Sequence, residues 1–511
     1  MGMNVVAPPL PDSHSQLGAH RPGALHLLPV AILLVVVGLS ATDNRSFWID
    51  ESAMAEFAKK PTIAECWRTM LRVPEVQQPL YMLYMWSYTH VFGSGEWALR
   101  VAGLPWFVAG ACVFVWAIGR SLGSTLAPVL VIATNAFLWY YANEARVYLL
   151  QLGLALAVIG CAIECIRSAY SGAIARGSFQ LFLVSLALFC GTSIVAAAWG
   201  AFFLVAFLVC IPRATWFQWF NATRWTTAIC AVGLAVLAAY YTWTMTLHAK
   251  ASTVGTTTMQ TMVFVFYELL GAAGLGPGRN DLRAVGASAL EPFAAPILLY
   301  AGAVGWVMWC GAKEIARRFE MKRVLLVAAL VLIPFLVLCA IGITTRFRVL
   351  GRHATPLLPF VWVVLIFGIS RIVQSKARTA LIVAGMFCCL SLVSSLSIRF
   401  AARHEKDNYK DAAAFARRAA LGGGTVWWNA DSFGADYYNL SPNDPTLGRR
   451  VNVVINTSAE DLKKLPEPGT VVISKPDIYD LDGAVAEYLA AHHYDIAARF
   501  SSFVIWKKRP S

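Results

Sequence analysis

Repeated apolar runs close to 20 residues long constrain the fold of this chain more than any other feature of its sequence. Such a run crosses the hydrocarbon core of a bilayer as one helix, because about 20 residues rising 1.5 Å each cover roughly 30 Å. The chain is therefore predicted to be an α-helical polytopic membrane protein with about 11 transmembrane helices. The runs cover residues 24–42, 98–118, 126–142, 148–166, 178–194, 195–211, 225–244, 292–310, 324–342, 355–371 and 379–397.

Composition supports the same class of protein. Of the 511 residues, 58% are hydrophobic and 14% are charged, whereas a soluble domain carries about 25% charged residues. The formal charge of +13 does not indicate nucleic-acid binding, because the basic residues fall largely in short connectors between apolar runs. The 11 cysteines indicate neither a disulfide framework nor a zinc site, since nearly all lie in or beside apolar runs without paired CxxC spacing.

The distribution of basic residues predicts a cytoplasmic N-terminus. The expected location is the plasma membrane, which is the inner membrane if the source is bacterial. Segment 79–92 is short and aromatic, so it is predicted to be an interfacial or re-entrant helix. This topology places residues 43–97 and 245–291, and the corners 143–147 and 343–354, on the outer face. The inner connectors then carry Arg120, Arg167, Arg176, Arg213, Arg224, Lys313, Arg317, Arg318, Lys322, Arg323, Arg371, Lys376 and Arg378.

Three regions differ in composition. Residues 1–22, rich in Pro, Ser, Gly and His, are predicted to be a disordered cytoplasmic tail. Residues 23–397 hold the apolar runs, and residues 398–511 are predicted to be a small α/β domain outside the membrane. The elements predicted there are helices over 409–420 and 481–493 and strands over 425–429, 451–456, 470–474 and 503–506.

An acidic pair, Asp50-Glu51, follows the first apolar run closely and is preceded by Phe47 and Trp48. A carboxylate at the membrane–water boundary is partly desolvated, which raises its pKa and its basicity. An enzyme that acts on a lipid-borne substrate would place its base at such a boundary. The alternative is a solvated acidic pair in an ordinary loop.

Basic residues also occur in three outer segments, 143–148, 276–283 and 346–353. Arginine suits phosphate, because its planar fork donates two parallel hydrogen bonds and stays charged. The alternative is ordinary interfacial snorkelling. For the aromatic residues near Asp50-Glu51 there are two interpretations: they stack on a sugar, or they belong to an interfacial aromatic belt. The candidates for binding the phosphate of a lipid-linked sugar donor are Arg146, Tyr148, Arg279, Arg283, Arg352 and His353. The candidates for contact with the sugar, or with the acceptor that receives it, are Trp48, Tyr81 and Glu144.

Five motifs occur in order: Asp50-Glu51, Gln78-Pro79-Leu80-Tyr81, and the stretches 92–100 (FGSGEWALR), 140–148 (YYANEARVY) and 351–359 (GRHATPLLP). In them the chain resembles the family 39 and related membrane glycosyltransferases of the GT-C class, which include protein O-mannosyltransferases and lipid A aminoarabinose transferases. The resemblance covers roughly residues 40–200 and, more thinly, 340–370. Arg146-Val147-Tyr148 stands where the family has Arg-Pro-Tyr, and Gln77-Gln78-Pro79 where it has a basic residue or His before a double proline.

The resemblance implies a GT-C-like fold and an enzyme that transfers a sugar from a polyprenyl-phosphate donor at the outer face, with inversion at the anomeric carbon. It implies that Asp50 is the general base and that Glu51 binds the acceptor or a metal. A divalent metal, if one is bound, would be held by Asp50 and Glu51, and no nucleotide cofactor is expected. The acceptor is a glycan, a lipid or a protein.

Two other classes of protein remain open. A lipid-linked glycan flippase or transporter predicts inverted repeats and ionisable residues near the bilayer midplane. The predicted spans are nearly free of such residues, and Glu164 lies close to a cytoplasmic end. A non-catalytic membrane scaffold explains the C-terminal domain but not the acidic and basic residues that share the outer face.

Overall fold

The computed structural model describes residues 27–73, 77–173, 175–247, 255–345 and 347–509. The predicted tail at 1–22 and Arg346 lie outside these residues. The first half of the chain is helical, in the order α1 (Leu28–Ala41), α2 (Ile49–Ala58), α3 (Ile63–Met70), α4 (Pro79–Phe92), α5 (Glu96–Val101), α6 (Leu104–Leu122), α7 (Leu126–Ala133), α8 (Ala136–Ala142), α9 (Tyr148–Tyr170), α10 (Arg176–Thr192), α11 (Ile194–Cys210) and α12 (Arg213–Ala222).

Further helices continue to residue 400. They are α13 (Arg224–Thr244), α14 (Met259–Leu269), α15 (Arg279–Val285), α16 (Ala294–Arg318), α17 (Met321–Thr344), α18 (Leu358–Ser375) and α19 (Arg378–Phe400). Short 3-10 turns lie at Ala273–Leu275, Gly286–Phe293, Gly351–Leu357, Ala402–His404 and Pro445–Leu447.

The helices make this an integral membrane protein, but the number of spans differs from the prediction. Within the described residues, 7 helical segments are long and apolar enough to cross a membrane, or 8 if the bent pair α11 and α12 is one span. The predicted count of 11 is therefore not confirmed. The segments are Glu96–Leu122, Tyr148–Tyr170, Arg224–Thr244, Arg279–Arg318, Met321–Thr344, Gly351–Ser375 and Arg378–Phe400.

Local chemistry explains part of the difference. The apolar run at 126–142 is broken into α7 and α8, because Asn135 ends one helix and caps the next by accepting a hydrogen bond from the Leu138 N–H at 3.2 Å. The runs at 24–42 and 178–194 form helices of only 14 and 17 described residues.

Close packing of α6 against α9 forms the centre of the membrane part. A Cβ atom added to Gly110 would lie 1.8 Å from the carbonyl oxygen of Gly153, and one added to Gly160 would lie 2.9 Å from the backbone of Phe114. Small residues let two helix backbones approach where side chains would hold them apart. This contact carries α9, and the corner at 143–147 that precedes it, into the interior of the protein.

The C-terminal unit, residues 409–508, is built on a five-stranded sheet in the order β2-β1-β3-β5-β4. Strands β2, β1 and β3 are parallel, and β5 pairs antiparallel with both β3 and β4. Its elements are α20 (Tyr409–Leu421), β1 (Val426–Asn429), α21 (Ser432–Tyr437), β2 (Val451–Val453), α22 (Ala459–Leu462), β3 (Thr470–Ser474), α23 (Pro476–Tyr479), α24 (Ala484–Ala491), β4 (Tyr494–Phe500) and β5 (Phe503–Lys508).

The sequence pattern predicted four of these strands and two of these helices close to their positions. It missed β4, because only the first of its seven residues is buried and the strand therefore lacks an apolar alternation. It also missed α21, which packs against α2. There the Phe433 and Phe57 rings meet edge to face at 5.6 Å, and the Phe47 N–H donates to the Tyr438 hydroxyl at 2.7 Å.

Candidate active site

Asp50 and Glu51 occupy the first turn of α2, where carboxylates interact favourably with the helix dipole. The Trp48 N–H donates to Glu51 Oε2 at 3.4 Å, so Glu51 closes the start of the helix. Because successive helical side chains point about 100° apart, the two carboxylates face different surroundings. Asp50 is 25% exposed at its side chain, whereas Glu51 is fully buried.

Two arginines from distant parts of the chain meet at Asp50. Arg352 Nη1 donates to Asp50 Oδ2 at 2.8 Å, and Arg146 Nη2 lies 3.8 Å from the same oxygen. Arg146 Nη1 also donates to the Asp50 carbonyl at 3.0 Å. Burial favours a raised pKa for Asp50, but Arg146 and Arg352 outweigh burial and bring the pKa below its ordinary value. The carboxylate is therefore ionised at neutral pH.

Two further donors lie buried around this cluster. Trp48 Nε1 and Arg352 Nε have no hydrogen-bond acceptor within the described part of the chain. The Arg352 guanidinium carbon lies 5.6 Å from the centre of the Trp48 ring. Buried polar groups in native proteins are nearly always satisfied, so these donors point to a ligand with acceptor oxygens.

Glu51 makes a different set of contacts. Arg100 Nε and Nη2 each donate to one of its oxygens at 2.9 Å, and the Ala145 N–H donates to Oε1 at 2.8 Å. Arg100 also donates to the side chain of Asp43 at 3.0 Å. Burial would raise the pKa of Glu51, but Arg100 and then Lys406 bring the pKa below its ordinary value. Glu51 thus holds α2, Arg100 and the 143–146 corner together.

Glu144, on that corner, is nearly as buried, with 2% of the residue exposed. Neither of its carboxylate oxygens accepts a hydrogen bond from a described residue. Lys406 Nζ lies 3.6 Å from Oε1. Burial raises the pKa of Glu144; Lys406 opposes this and Glu51 adds to it. This carboxylate therefore takes up a proton more readily than Asp50.

A cleft lies beside α8 and is lined by Tyr140, Tyr141, Glu268 and Arg279, among others. Arg279 reaches it from α15, donates to Glu268 Oε1 at 2.5 Å, and lies 4.0 Å from the centre of the Tyr140 ring. Glu268 Oε2 accepts from the Gly351 N–H at 3.1 Å. Glu268 therefore links Arg279 to the segment that carries Arg352.

The other predicted residues lie around this centre or away from it. Tyr81 is buried, and the Tyr148 ring lies 5.1 Å from that of Tyr141. His353 Nδ1 accepts from the Leu350 N–H at 3.1 Å, so this ring nitrogen is engaged locally. Arg283 is 36% exposed and pairs with Asp477 of the C-terminal unit, so the structure does not bring it to Asp50.

Metal binding does not fit the acidic pair. Both oxygens of Glu51 are taken by Arg100, and Asp50 faces two arginines. Among the residues that the structure describes, no group of three or more His, Cys, Asp or Glu side chains could hold a metal ion.

Sequence reasoning did not find three members of the site. Arg100 ends one of the quoted motifs, yet its pairing with Glu51 had no sequence signal beyond that position. Glu268 lies in an apolar stretch, VFVFYELL, where a single acidic residue was a usable signal. Lys406 lies in the polar stretch HEKDNYK, and nothing in that pattern distinguishes it from a surface lysine.

The fold is similar to that of solved membrane glycosyltransferases of the GT-C class, in agreement with the resemblance that the motifs indicated. The structure of the lipid A aminoarabinose transferase ArnT from Cupriavidus metallidurans in the apo state superposes with a TM-score of 0.53 at 15% identity, over 94% of this chain and 97% of that chain. At this identity the likeness establishes the fold.

Two other solved structures are less similar. The arabinofuranosyltransferase AftD from mycobacteria gives a TM-score of 0.42 at 14% identity, over 96% of this chain and 40% of that one. The oligosaccharyltransferase AglB from Archaeoglobus fulgidus, in complex with an inhibitory peptide and a dolichol-phosphate, gives 0.46 at 10% identity, over 95% and 75%. No protein-family model and no curated protein sequence matches the chain.

Proposed function

We propose that the protein is a glycosyltransferase that moves a sugar from a polyprenyl-phosphate donor to an acceptor at the outer face of the membrane. The observation that carries this proposal is the ionised Asp50 carboxylate between Arg146 and Arg352, with unpartnered donors on Trp48 and Arg352 beside it. The GT-C fold, and a solved ArnT structure bound to undecaprenyl phosphate, support a lipid-phosphate donor.

The chemistry assigns one role to each group. Asp50 takes the proton as the acceptor O–H bond breaks, and the acceptor oxygen bonds to the anomeric carbon. The bond between that carbon and the phosphate oxygen breaks on the opposite face, so configuration inverts and the electron pair goes to the phosphate. Arg146 and Arg352 stabilise the charge that the phosphate gains. Trp48 contributes a hydrogen bond and an apolar face for the sugar.

Glu51 receives a positioning role in this scheme, since Arg100 occupies both of its oxygens. In this scheme Arg279, which lines the cleft, and Tyr148, whose ring lies against that of Tyr141, contact the donor beyond its phosphate. The C-terminal unit lies outside the membrane together with α2, with which it packs through α21. The N-terminus is then cytoplasmic.

Lipid extracts test this proposal. Cells that lack the gene should accumulate a polyprenyl-phosphate sugar, measured by mass spectrometry, and the wild-type gene should remove it. A gene encoding Asp50→Asn should leave the lipid accumulated, because asparagine keeps the size of the side chain but accepts no proton. The matched control is Asp461→Asn, whose side chain is 59% exposed in the C-terminal unit. If the Asp50→Asn protein, present at the wild-type level, removed the accumulated polyprenyl-phosphate sugar completely, the proposal would be contradicted.

A further inference from the structure

Lys406 reaches the catalytic centre from the connector between the last membrane helix and the C-terminal unit, residues 401–408. Its Nζ donates to the Asn143 carbonyl and lies 3.6 Å from Glu144 Oε1 and 3.9 Å from Glu51 Oε2. The side chain is 11% exposed. A lysine so deeply buried is rare unless it is paired, and here it is paired with two carboxylates.

The connector that carries Lys406 is fixed at both ends. On one side Arg403 donates to the carbonyls of Gly276 at 2.9 Å and Gly274 at 3.0 Å. On the other side, the Asn408 N–H donates to the Ser501 carbonyl at 3.0 Å. The position of Lys406 is therefore set by contacts of both parts of the protein.

The charge of Lys406 balances the buried acids. Arg100 pairs with Glu51, and Lys406 supplies a cation to Glu144. Without Lys406, Glu144 would lose its nearest cation while Glu51 keeps Arg100, and a buried charge that has lost its partner is costly. The titratable and charged groups that face Glu144 are Glu51, Lys406, Arg279, Arg352, Tyr140 and Tyr141, and those that also face Lys406 are Arg100 and Asp43.

The residues that Lys406 touches lead directly to the donor site. Asn143 and Glu144 belong to the corner whose next residues bind α2: the Ala145 N–H donates to Glu51, and Arg146 donates to the Asp50 carbonyl. A shift of this corner moves Arg146 relative to Asp50. Lys406 therefore contacts the corner that carries one of the two arginines beside the proposed base.

We propose that Lys406 is a positioning residue through which the C-terminal unit holds the corner 143–146, and with it Arg146, against Asp50. The inference rests on the proposed function in one respect, the role given to Arg146 in donor binding. In this proposal the C-terminal unit affects catalysis by positioning Arg146 through Lys406, and it does so without contact with the sugar.

Replacement of Lys406 by Met tests the proposal through the pH profile of turnover by the full-length protein in lipid nanodiscs. At a pH low enough to protonate Glu144, this side chain needs no cation, and turnover of Lys406→Met should stay near wild type. At higher pH the ionised Glu144 lacks its nearest cation, and turnover should fall by up to about tenfold per pH unit above the pKa of Glu144. Lys406→Arg should retain the wild-type profile, because it keeps the charge.

Two further variants isolate the cause. Lys406→Met combined with Glu144→Gln should lose the extra pH dependence, because no carboxylate remains to ionise. Lys410→Met is the matched control, since Lys410 lies at the same boundary, is 45% exposed and pairs with Glu96 at 3.1 Å. A profile of Lys406→Met parallel to wild type, or an equal change in Lys410→Met, would overturn the proposal.

Thermal unfolding of donor-free protein separates this proposal from the proposed function. The raised pKa of Glu144 means that the folded state binds more protons than the unfolded one, so stability falls as pH rises toward that pKa. Lys406→Met should steepen the fall and the double variant should remove it. Absence of this difference refutes the positioning role whether or not sugar transfer is observed, whereas Asp50→Asn tests the transfer alone.

Discussion

Arg352 Nη1 lies 2.8 Å from Oδ2 of Asp50, although 302 residues separate them in the sequence. The proposed base and a proposed phosphate ligand thus contact each other directly. A donor phosphate that draws Arg352 toward itself loosens this pair. Under the proposed function, binding of the donor and release of the base are therefore coupled through one guanidinium group.

Arg352→Lys should weaken donor binding. Lysine keeps the charge but loses the planar fork, so one charge-assisted hydrogen bond is lost, and affinity should fall about tenfold for a bond worth roughly 1.5 kcal/mol. Binding of a polyprenyl-phosphate sugar to the purified protein measures this. Arg418→Lys, on an exposed face of the C-terminal unit, is the control. Equal affinity of the Arg352→Lys and wild-type proteins would remove Arg352 from the phosphate site.

The pH dependence of turnover should differ between free and donor-bound protein. In the free protein Arg146 and Arg352 overcome burial and hold the pKa of Asp50 below the ordinary value of 3.8. Bound phosphate offsets these positive charges, so the pKa of Asp50 should rise in the complex. The acid limb of kcat should then lie at higher pH than that of kcat/KM, since the first reports the complex and the second the free enzyme. If the acid limbs of kcat and kcat/KM lay at the same pH, this would argue against the idea that Asp50 and the phosphate share Arg146 and Arg352.

Glu51→Gln should act mainly by lowering the free energy of unfolding, since Glu51 is not the proposed base. The change leaves the buried Arg100 without its bidentate partner, and breaking a buried ion pair on one side costs about 3–5 kcal/mol. Unfolding in detergent measures the loss. Glu56→Gln on the same helix is the control, because its pair with Lys59 is partly exposed and such pairs contribute about 0–1 kcal/mol. Similar stability of the two variants would contradict this role for Glu51.

Gly110→Ala should destabilise the membrane part, because the new methyl group would lie 1.8 Å from the Gly153 carbonyl oxygen and force α6 away from α9. Gly233→Ala on α13 is the matched control, since a Cβ there meets nothing within 4 Å. The temperature of unfolding in nanodiscs should fall in the first variant and stay constant in the second. An unchanged value in Gly110→Ala would show that this contact is looser than the structure indicates.

Cysteines introduced at Lys464, 73% exposed in the C-terminal unit, and at Glu320, 57% exposed between α16 and α17, test the orientation. An impermeant thiol reagent applied to intact spheroplasts should label Lys464→Cys. Glu320→Cys should react only after the membrane is opened. The reverse pattern would place Asp50 on the cytoplasmic side and exclude the proposed outer-face reaction.

The sequence predicted the parts of the molecule that local patterns encode. The membrane class follows from the length of the apolar runs, and β1, β3 and β5 follow from short apolar stretches between turns. Asp50, Arg146 and Arg352 stood out because charges beside membrane spans are costly and need a reason. The break at Asn135 was also readable, since asparagine before a helical run is a capping signal.

Other features depend on contacts that no local pattern contains. The burial of Glu51 follows from Arg100, and the burial of Lys406 follows from the docking of the C-terminal unit, so neither could be deduced from neighbouring residues. Equally, β4 has six residues that are not buried and is a strand because it pairs with β5. These are tertiary effects that override the sequence pattern.

The contact between Phe47 and Tyr438 joins residues 391 positions apart, and this separation orders events during synthesis. A chain leaves the ribosome from its N-terminus, so α2 is made and delivered long before α21 exists. Until the last quarter of the protein has been translated, Phe47 lacks this bond and Glu51 lacks Lys406. A stalled or prematurely terminated chain therefore lacks the contacts that complete the surroundings of Asp50 and Glu51.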